Sequence, residues 1–132
     1  MPTTLRVEIF PADLDATVIF YTTVLGFSLV TDQRATHGYV AMERDHVRIG
    51  AAARRGPVVG EVHRPPTGVE LVLEVDDIVE ERDRVLAQGW PLEEDLCVRP
   101  WGLTDFRLLD PCGNYLRLTN RPQATESEQQ DG

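Results

Sequence analysis

The sequence predicts an α+β domain built from two copies of one βαβββ module, and three observations carry that prediction. A strand-like alternation, an aspartate, an apolar helical stripe and a glycine stop occur in that order twice, each followed by three further strand patterns. A shift of 64 residues lays Leu5, Val7, Ile9 and Leu14 over Val69, Leu71, Leu73 and Ile78. Between the copies lies a stretch rich in glycine, proline and arginine, the composition of a connection.

Each element has its own signal. Leu5, Val7 and Ile9 alternate with Arg6, Glu8 and Phe10, the period of a strand with one buried face. Asp13 or Asp15 can cap the helix that follows, because a short carboxylate accepts the free N–H groups of a first turn. Leu14, Val18, Tyr21 and Leu25 make one apolar stripe, and Gly26 ends it. Phe27–Val30 reads as a strand, and Gly38–Glu43 with His46–Ala51 as a hairpin turning at Arg44-Asp45. In the second copy Val69, Leu71, Leu73 and Val75 alternate with Glu70, Val72 and Glu74. Asp76 or Asp77 caps a helix carrying Ile78, Val85 and Leu86, and Gly89 closes it. Pro91–Val98, Asp105–Leu109 and Asn114–Thr119 supply the last strands, the final two joined by the turn Asp110-Pro111-Cys112-Gly113-Asn114. A shift of 69 lays Val47, Arg48 and Ile49 over Leu116, Arg117 and Leu118. The modules then span about 4–53 and 68–121, with a linker over 54–67 and a disordered acidic tail over 122–132.

At 132 residues, with 42% hydrophobic and 27% charged residues, the chain is one domain with enough apolar content for a core. The formal charge is −9, and −6 remains without the tail residues Glu126, Glu128 and Asp131. That sign opposes nucleic acid and anionic membranes and favours the approach of a cationic ligand. No apolar run reaches the roughly 20 residues of a membrane helix, and no signal peptide opens the chain, so a cytoplasmic address is expected. Cys97 and Cys112 have no Cys-x-x-Cys spacing and are expected as reduced thiols. All 13 basic residues are arginine, which leaves no lysine for Schiff-base chemistry.

The residues Asp13-Leu14, Phe20-Tyr21 and Leu25-Gly26-Phe27, then Glu74-Val75-Asp76-Asp77, Pro100-Trp101-Gly102 and Asp110-Pro111-Cys112-Gly113-Asn114, resemble the vicinal oxygen chelate superfamily. That superfamily holds glyoxalases, extradiol dioxygenases and the fosfomycin- and bleomycin-resistance proteins. The resemblance covers about residues 4–121 and implies the glyoxalase/bleomycin-resistance fold, curled mixed sheets around a cavity. The Pro100-Trp101-Gly102 element, Phe106 and the Asp-Pro turn are most similar to the bleomycin-resistance branch, whose members are metal-independent homodimers that sequester a drug.

On that fold, alternation points Arg6, Glu8, Phe10, His46, Arg48, Glu70, Val72, Glu74, Tyr115, Arg117 and Thr119 into the cavity. Metal-dependent members take His or Glu ligands from the first, fourth, fifth and eighth strands. The matching positions here are Arg6, Arg48, Glu70 and Arg117, and a guanidinium has no lone pair to give a metal. The resemblance therefore implies a ligand-binding set of Arg6, Glu8, Phe10, Tyr39, His46, Arg48, Glu70, Glu74, Trp101, Tyr115 and Arg117, with no cofactor and no catalytic residue. Its ligand would be a small cationic or heteroaromatic molecule, stacked on Trp101 and Phe10 and bound for antibiotic sequestration. The inward arginines and glutamates read equally well as ligand contacts or as a salt-bridge network of their own. Three other readings stand: a metal-dependent lyase or dioxygenase on a displaced Glu8, His46 and Glu70 set; a metal-free enzyme with Glu70 or Glu8 as base; and a dimerisation module with a collapsed cavity.

Overall fold

The computed structural model describes residues 3–54 and 68–121; the expected tail, and all of the expected linker except Arg54, fall outside them. The elements run β1 (Val7–Ile9), α1 (Leu14–Ile19) with a π-helical continuation (Phe20–Val24), β2 (Ser28–Gln33), β3 (Tyr39–Arg44), β4 (Val47–Ala52), β5 (Leu71–Val75), α2 (Ile78–Ala87), β6 (Glu94–Val98), β7 (Thr104–Leu109) and β8 (Tyr115–Asn120). Two four-stranded sheets form, β1-β4-β3-β2 and β5-β8-β7-β6, each with one parallel pair and otherwise antiparallel. This is the repeated βαβββ architecture that the sequence predicts.

The core lies on the helix-bearing face of each sheet. Ile9, Val40, Met42, Ile49 and Ala51 supply it from the first module, and Leu73, Val75, Phe106, Leu108, Leu116 and Leu118 from the second. Asp13 and Asp77 are the caps, accepting from the N–H groups of Ala16 and Glu80, each at 3.0 Å. Gly26 and Gly89 follow the two helical segments with φ of +73° and +77°, the left-handed region that stops a helix without a Cβ penalty.

The expected stripe Leu14, Val18, Tyr21 and Leu25 is buried, yet the helix does not stay α-helical. The Thr22 and Thr23 hydroxyls donate back to the carbonyls of Val18 and Ile19, both at 2.6 Å, and the Leu25 N–H reaches Phe20 O at 3.2 Å, an i→i+5 bond. Back-bonding of this kind loosens a helix turn. The widened turn brings both Phe20 and Tyr21 to the buried side, a position for Phe20 that a 3.6-residue stripe does not give.

Other boundaries move as well. Pairing with β4 begins at Val7 and pairing with β8 begins at Leu71, so Leu5 (75% exposed) and Val69 lie before their ladders and pack under no helix. Leu86 is exposed on α2. β2 runs on to Gln33, and β6 starts only at Glu94. The hairpin turns at Asp45-His46, with Asp45 at φ +52°, which takes His46 out of the strand. The repeat offset at the fourth strand also differs from 69. Val7 pairs with Ile49 and Leu71 with Leu116, so a shift of 64 in the first strand demands 67 in the fourth. The counterpart of Arg117 is thus Gly50, and that of Arg48 is Tyr115.

The modules meet through their helical sides. Phe20 packs on Trp90 with ring centroids 4.7 Å apart, and Trp90 Nε1 donates to Leu109 O at 2.8 Å. Arg44 pairs with buried Glu81 and donates to Leu25 O at 2.9 Å. Buried Tyr21 donates its hydroxyl to Asp110 Oδ2 at 2.8 Å. Asp110 also accepts from the N–H groups of Cys112 and Asn114, both at 2.9 Å, and from Asn114 Nδ2 at 2.8 Å. Asp110→Ala strands several of these donors, and a loss of about 3 kcal/mol is expected in urea unfolding, against about 1 kcal/mol for Tyr21→Phe. Burial first, then the Asp110 carboxylate, raises the Tyr21 pKa well above 10.0. Above pH 10 the unfolded chain therefore releases a proton that the native chain keeps, and stability falls as pH rises. Tyr21→Phe will make that alkaline decline shallower in pH-dependent unfolding, with Tyr39 and Cys112, also raised, supplying the remainder.

Candidate functional site

Alternation leaves one face of each sheet turned away from the helices, and both faces are polar. On the first module, β1 and β4 place Glu8 beside Gly50, and β3 places Tyr39 within reach of both. The Tyr39 hydroxyl donates to Glu8 Oε2 at 3.1 Å, and Arg6 Nε pairs with the same oxygen at 2.7 Å. A Cβ at position 50 would collide with Glu8 Oε2 and the Tyr39 hydroxyl, so the missing side chain is what lets these groups meet over the strand. Desolvation, then the bond to Glu8, raises the Tyr39 pKa. Arg48 turns aside and donates to Thr4 Oγ1 at 2.9 Å.

The second module carries a denser charge set. Asp105, with its side chain only 1% exposed, accepts from Arg99 Nε at 3.0 and 3.2 Å and from Arg99 Nη2 at 2.9 Å. Arg99 also pairs with Glu94, and these two carboxylates raise its pKa, Asp105 foremost. Arg107 and Arg117 stand directly opposite each other across the β7–β8 ladder. Arg117 Nη2 lies 3.4 Å from Glu70 Oε1, and Arg117 Nη1 lies 3.9 Å from Asp105 Oδ2. Sequence reasoning missed Glu94, Arg99, Asp105 and Arg107. The alternation of Asp105 and Arg107 against the buried Phe106 and Leu108 was the available signal for two of them.

The expected set does not form one cluster. Glu8 and Tyr39 meet with Arg6 on the first face, and Glu70 and Arg117 meet on the second. Phe10 and Tyr115 line a groove of about 340 Å³ between the modules, together with Glu8, Arg54, Leu71 and Asn114. His46 and Glu74 lie instead along another groove of about 500 Å³, which also holds Arg44, Asp76, Glu81 and Arg121. His46 sits in the hairpin turn, which separates it from the Arg48 face. Trp101 is 58% exposed in the Pro-Trp-Gly loop, unpacked against the core, whereas Trp90 packs as a core anchor.

The four positions that carry metal ligands in metal-dependent members offer little to a divalent ion here. They hold Arg6, Gly50, Glu70 and Arg117, with Arg48 two residues from Gly50 on the same strand, so Glu70 is the single donor among them. Its Oε1 faces the Arg117 guanidinium. Among the described residues no three His, Cys, Asp or Glu side chains gather closely enough to hold a metal, and Glu8, His46 and Glu70 do not converge. The donor chemistry does not fit a divalent ion.

A model of the Glyoxalase/Bleomycin resistance protein/Dioxygenase superfamily matches residues 4–118. The chain belongs to that superfamily. Solved structures of the same fold include TioX from Micromonospora sp. ML1 at 22% identity and TM-score 0.76, covering 92% of this chain and 100% of that one. UcmS2 matches at 21% and 0.74, over 92% and 99% of the two chains. Lactoylglutathione lyase from Agrobacterium tumefaciens matches at 20% and 0.69, over 89% and 92%. No curated protein matches the sequence. At these identities the likeness establishes the superfamily fold and leaves the chemistry to the side chains. No helix of the described residues is long and apolar enough to cross a membrane. On the superfamily's first open face, Glu8→Gln removes the negative charge beside the phenol, and the Tyr39 pKa is expected to fall back toward 10.0. A spectrophotometric phenolate titration checks it.

Proposed function

We propose that this chain binds a small organic molecule on its open faces without a metal ion, as a sequestering protein of the bleomycin-resistance type. Superfamily members bind small molecules and often form dimers, which supports a small-molecule ligand and a homodimer here. The observation that carries this reading is the Glu70–Arg117 ion pair: the one carboxylate at the four ligand positions is turned to a guanidinium. An arginine at such a place supplies charge and hydrogen bonds to a bound molecule but cannot polarise it as a Lewis acid. Phe10 and Tyr115 offer apolar surface in their groove, and the exposed Trp101 offers a separate stacking face for a flat body.

Calorimetry on tag-free, chelator-stripped protein tests the metal-free part. Titration with Zn²⁺, Mn²⁺, Ni²⁺ and Fe²⁺ is expected to show no stoichiometric binding. Tight one-to-one uptake that disappears in Glu70→Ala overturns the reading. Sedimentation is expected to give a dimer. Quenching of tryptophan fluorescence by bleomycin-like drugs, lost in Trp101→Phe, is expected of a sequestering site.

A further inference from the structure

We propose that Arg107 and Arg117 form the anchor for an oxyanion group, carboxylate or phosphate, carried by the bound molecule; this rests on the reading that the open face takes a small ligand. The two residues are a direct cross-strand pair on β7 and β8. Like charges placed opposite one another in a ladder repel, and partial burial strengthens that repulsion. Their side chains are only 22% and 24% exposed.

Among the described residues Glu70, Glu94 and Asp105 balance the charge of Arg99, Arg107 and Arg117, but they leave the hydrogen bonding of Arg107 and Arg117 incomplete. Asp105 is the nearest buried anion, but three close contacts commit it to Arg99. What remains for Arg107 is Glu94 Oε1 at 3.6 Å and Asp105 Oδ1 at 3.9 Å from its Nε, and Glu94 is also engaged by Arg99. Among the described residues Arg117 has only the 3.4 Å and 3.9 Å approaches to Glu70 and Asp105. The Nε atoms of Arg107 and Arg117 are both buried and without a hydrogen-bond partner among the described residues, and so is Glu70 Oε2. Three of the four such side-chain atoms in the described residues therefore lie on this one face. Buried donors left open are costly, and a closed structural network would satisfy them.

A planar guanidinium presents two parallel N–H groups, a fork that matches the two oxygens of a carboxylate or phosphate. Rising side by side from one face of the ladder, the two guanidiniums can both donate to one such group lying over it, which converts the repulsion into charge-assisted bonds on both sides. Glu70 Oε2, next to Arg117, then accepts from a donor on the same molecule and sets its orientation. The overall charge of −9 does not oppose this, because contacts at hydrogen-bond distance outweigh charges screened beyond roughly 8 Å at physiological salt.

The test follows the arginine Nε–Hε resonances of the full chain by NMR during titration with inorganic phosphate and, separately, benzoate, at constant ionic strength. The expected result is a saturable shift of the Arg107 and Arg117 signals with at least one of the two, and the tighter binder names the oxyanion. Arg107→Lys keeps the charge and the stem but loses the fork, and should weaken binding about tenfold; Arg107→Gln should weaken it further. No saturable shift with either anion, or equal affinity in Arg107→Lys, overturns the proposal. The metal titration keeps the two readings apart. Metal uptake with intact anion shifts refutes the metal-free function alone, and absent anion shifts without metal uptake refute the anchor alone.

Discussion

The Asp110 carboxylate is the interaction on which the arrangement of this molecule turns. It holds the β7–β8 turn by accepting from two main-chain N–H groups and the Asn114 amide, and it takes the Tyr21 hydroxyl from the other module. The first three bonds set where β8 begins and therefore its register against β7. Register decides faces, since a slip of one residue would turn Leu116 and Leu118 outward and Arg117 into the core. The fourth bond ties that register to the π-helical turn of the first module. One buried anion thus positions both the hydrophobic contact between modules and the arginine face on the far side of the sheet.

A second constraint governs the open faces. Charged side chains held at a quarter exposure or less must be neutralised close by. The first module is under less demand: Arg6 and Glu8 are 52% and 32% exposed, and they pair with each other while Tyr39 donates to Glu8 over a glycine. The second meets it only in part, giving Arg99 a full set of partners and leaving Arg107 and Arg117 with distant ones. The choice left open by the sequence, ligand contacts or a self-contained salt-bridge network, therefore receives a different answer on each side: closure on the first face, unfinished pairing on the second.

Most of the fold was legible because it rests on local rules. Asp13 and Asp77 as caps, Gly26 and Gly89 as stops, and the strand alternation through Val7, Ile9, Leu71 and Leu73 each depend on a few neighbouring residues. The site was less legible because it depends on register and on turns. His46 has the parity of Arg48 and was expected beside it, but a turn shifted by one residue carries it to the other groove. Arg117 was matched to Arg48 when strand pairing matches it to Gly50, a two-residue offset that keeps the faces correct and hides the error. Phe20 escaped because a π-helical turn breaks the helical period. Glu94 opens the stretch of β6 that is irregular up to Cys97, and Arg99 follows the strand's end at Val98, so alternation gives no safe guide to their direction.

The corrected offsets allow the two modules to be compared position by position, and the comparison separates packing from chemistry. In the core, Val40, Met42, Ile49 and Ala51 correspond to Phe106, Leu108, Leu116 and Leu118, apolar for apolar, as a shared fold requires. On the open face Glu8, Tyr39, Ala41 and Gly50 correspond to Val72, Asp105, Arg107 and Arg117, with no position alike. Both faces sit on four strands paired in the same order, one parallel pair and two antiparallel, so the topology imposes no such difference. Packing cannot impose it either, because these side chains point away from the core. The remaining source of the difference is what each face must meet. The face with a small residue at the ladder's centre is closed over its own glutamate, and the face with paired arginines there keeps its donors for something else.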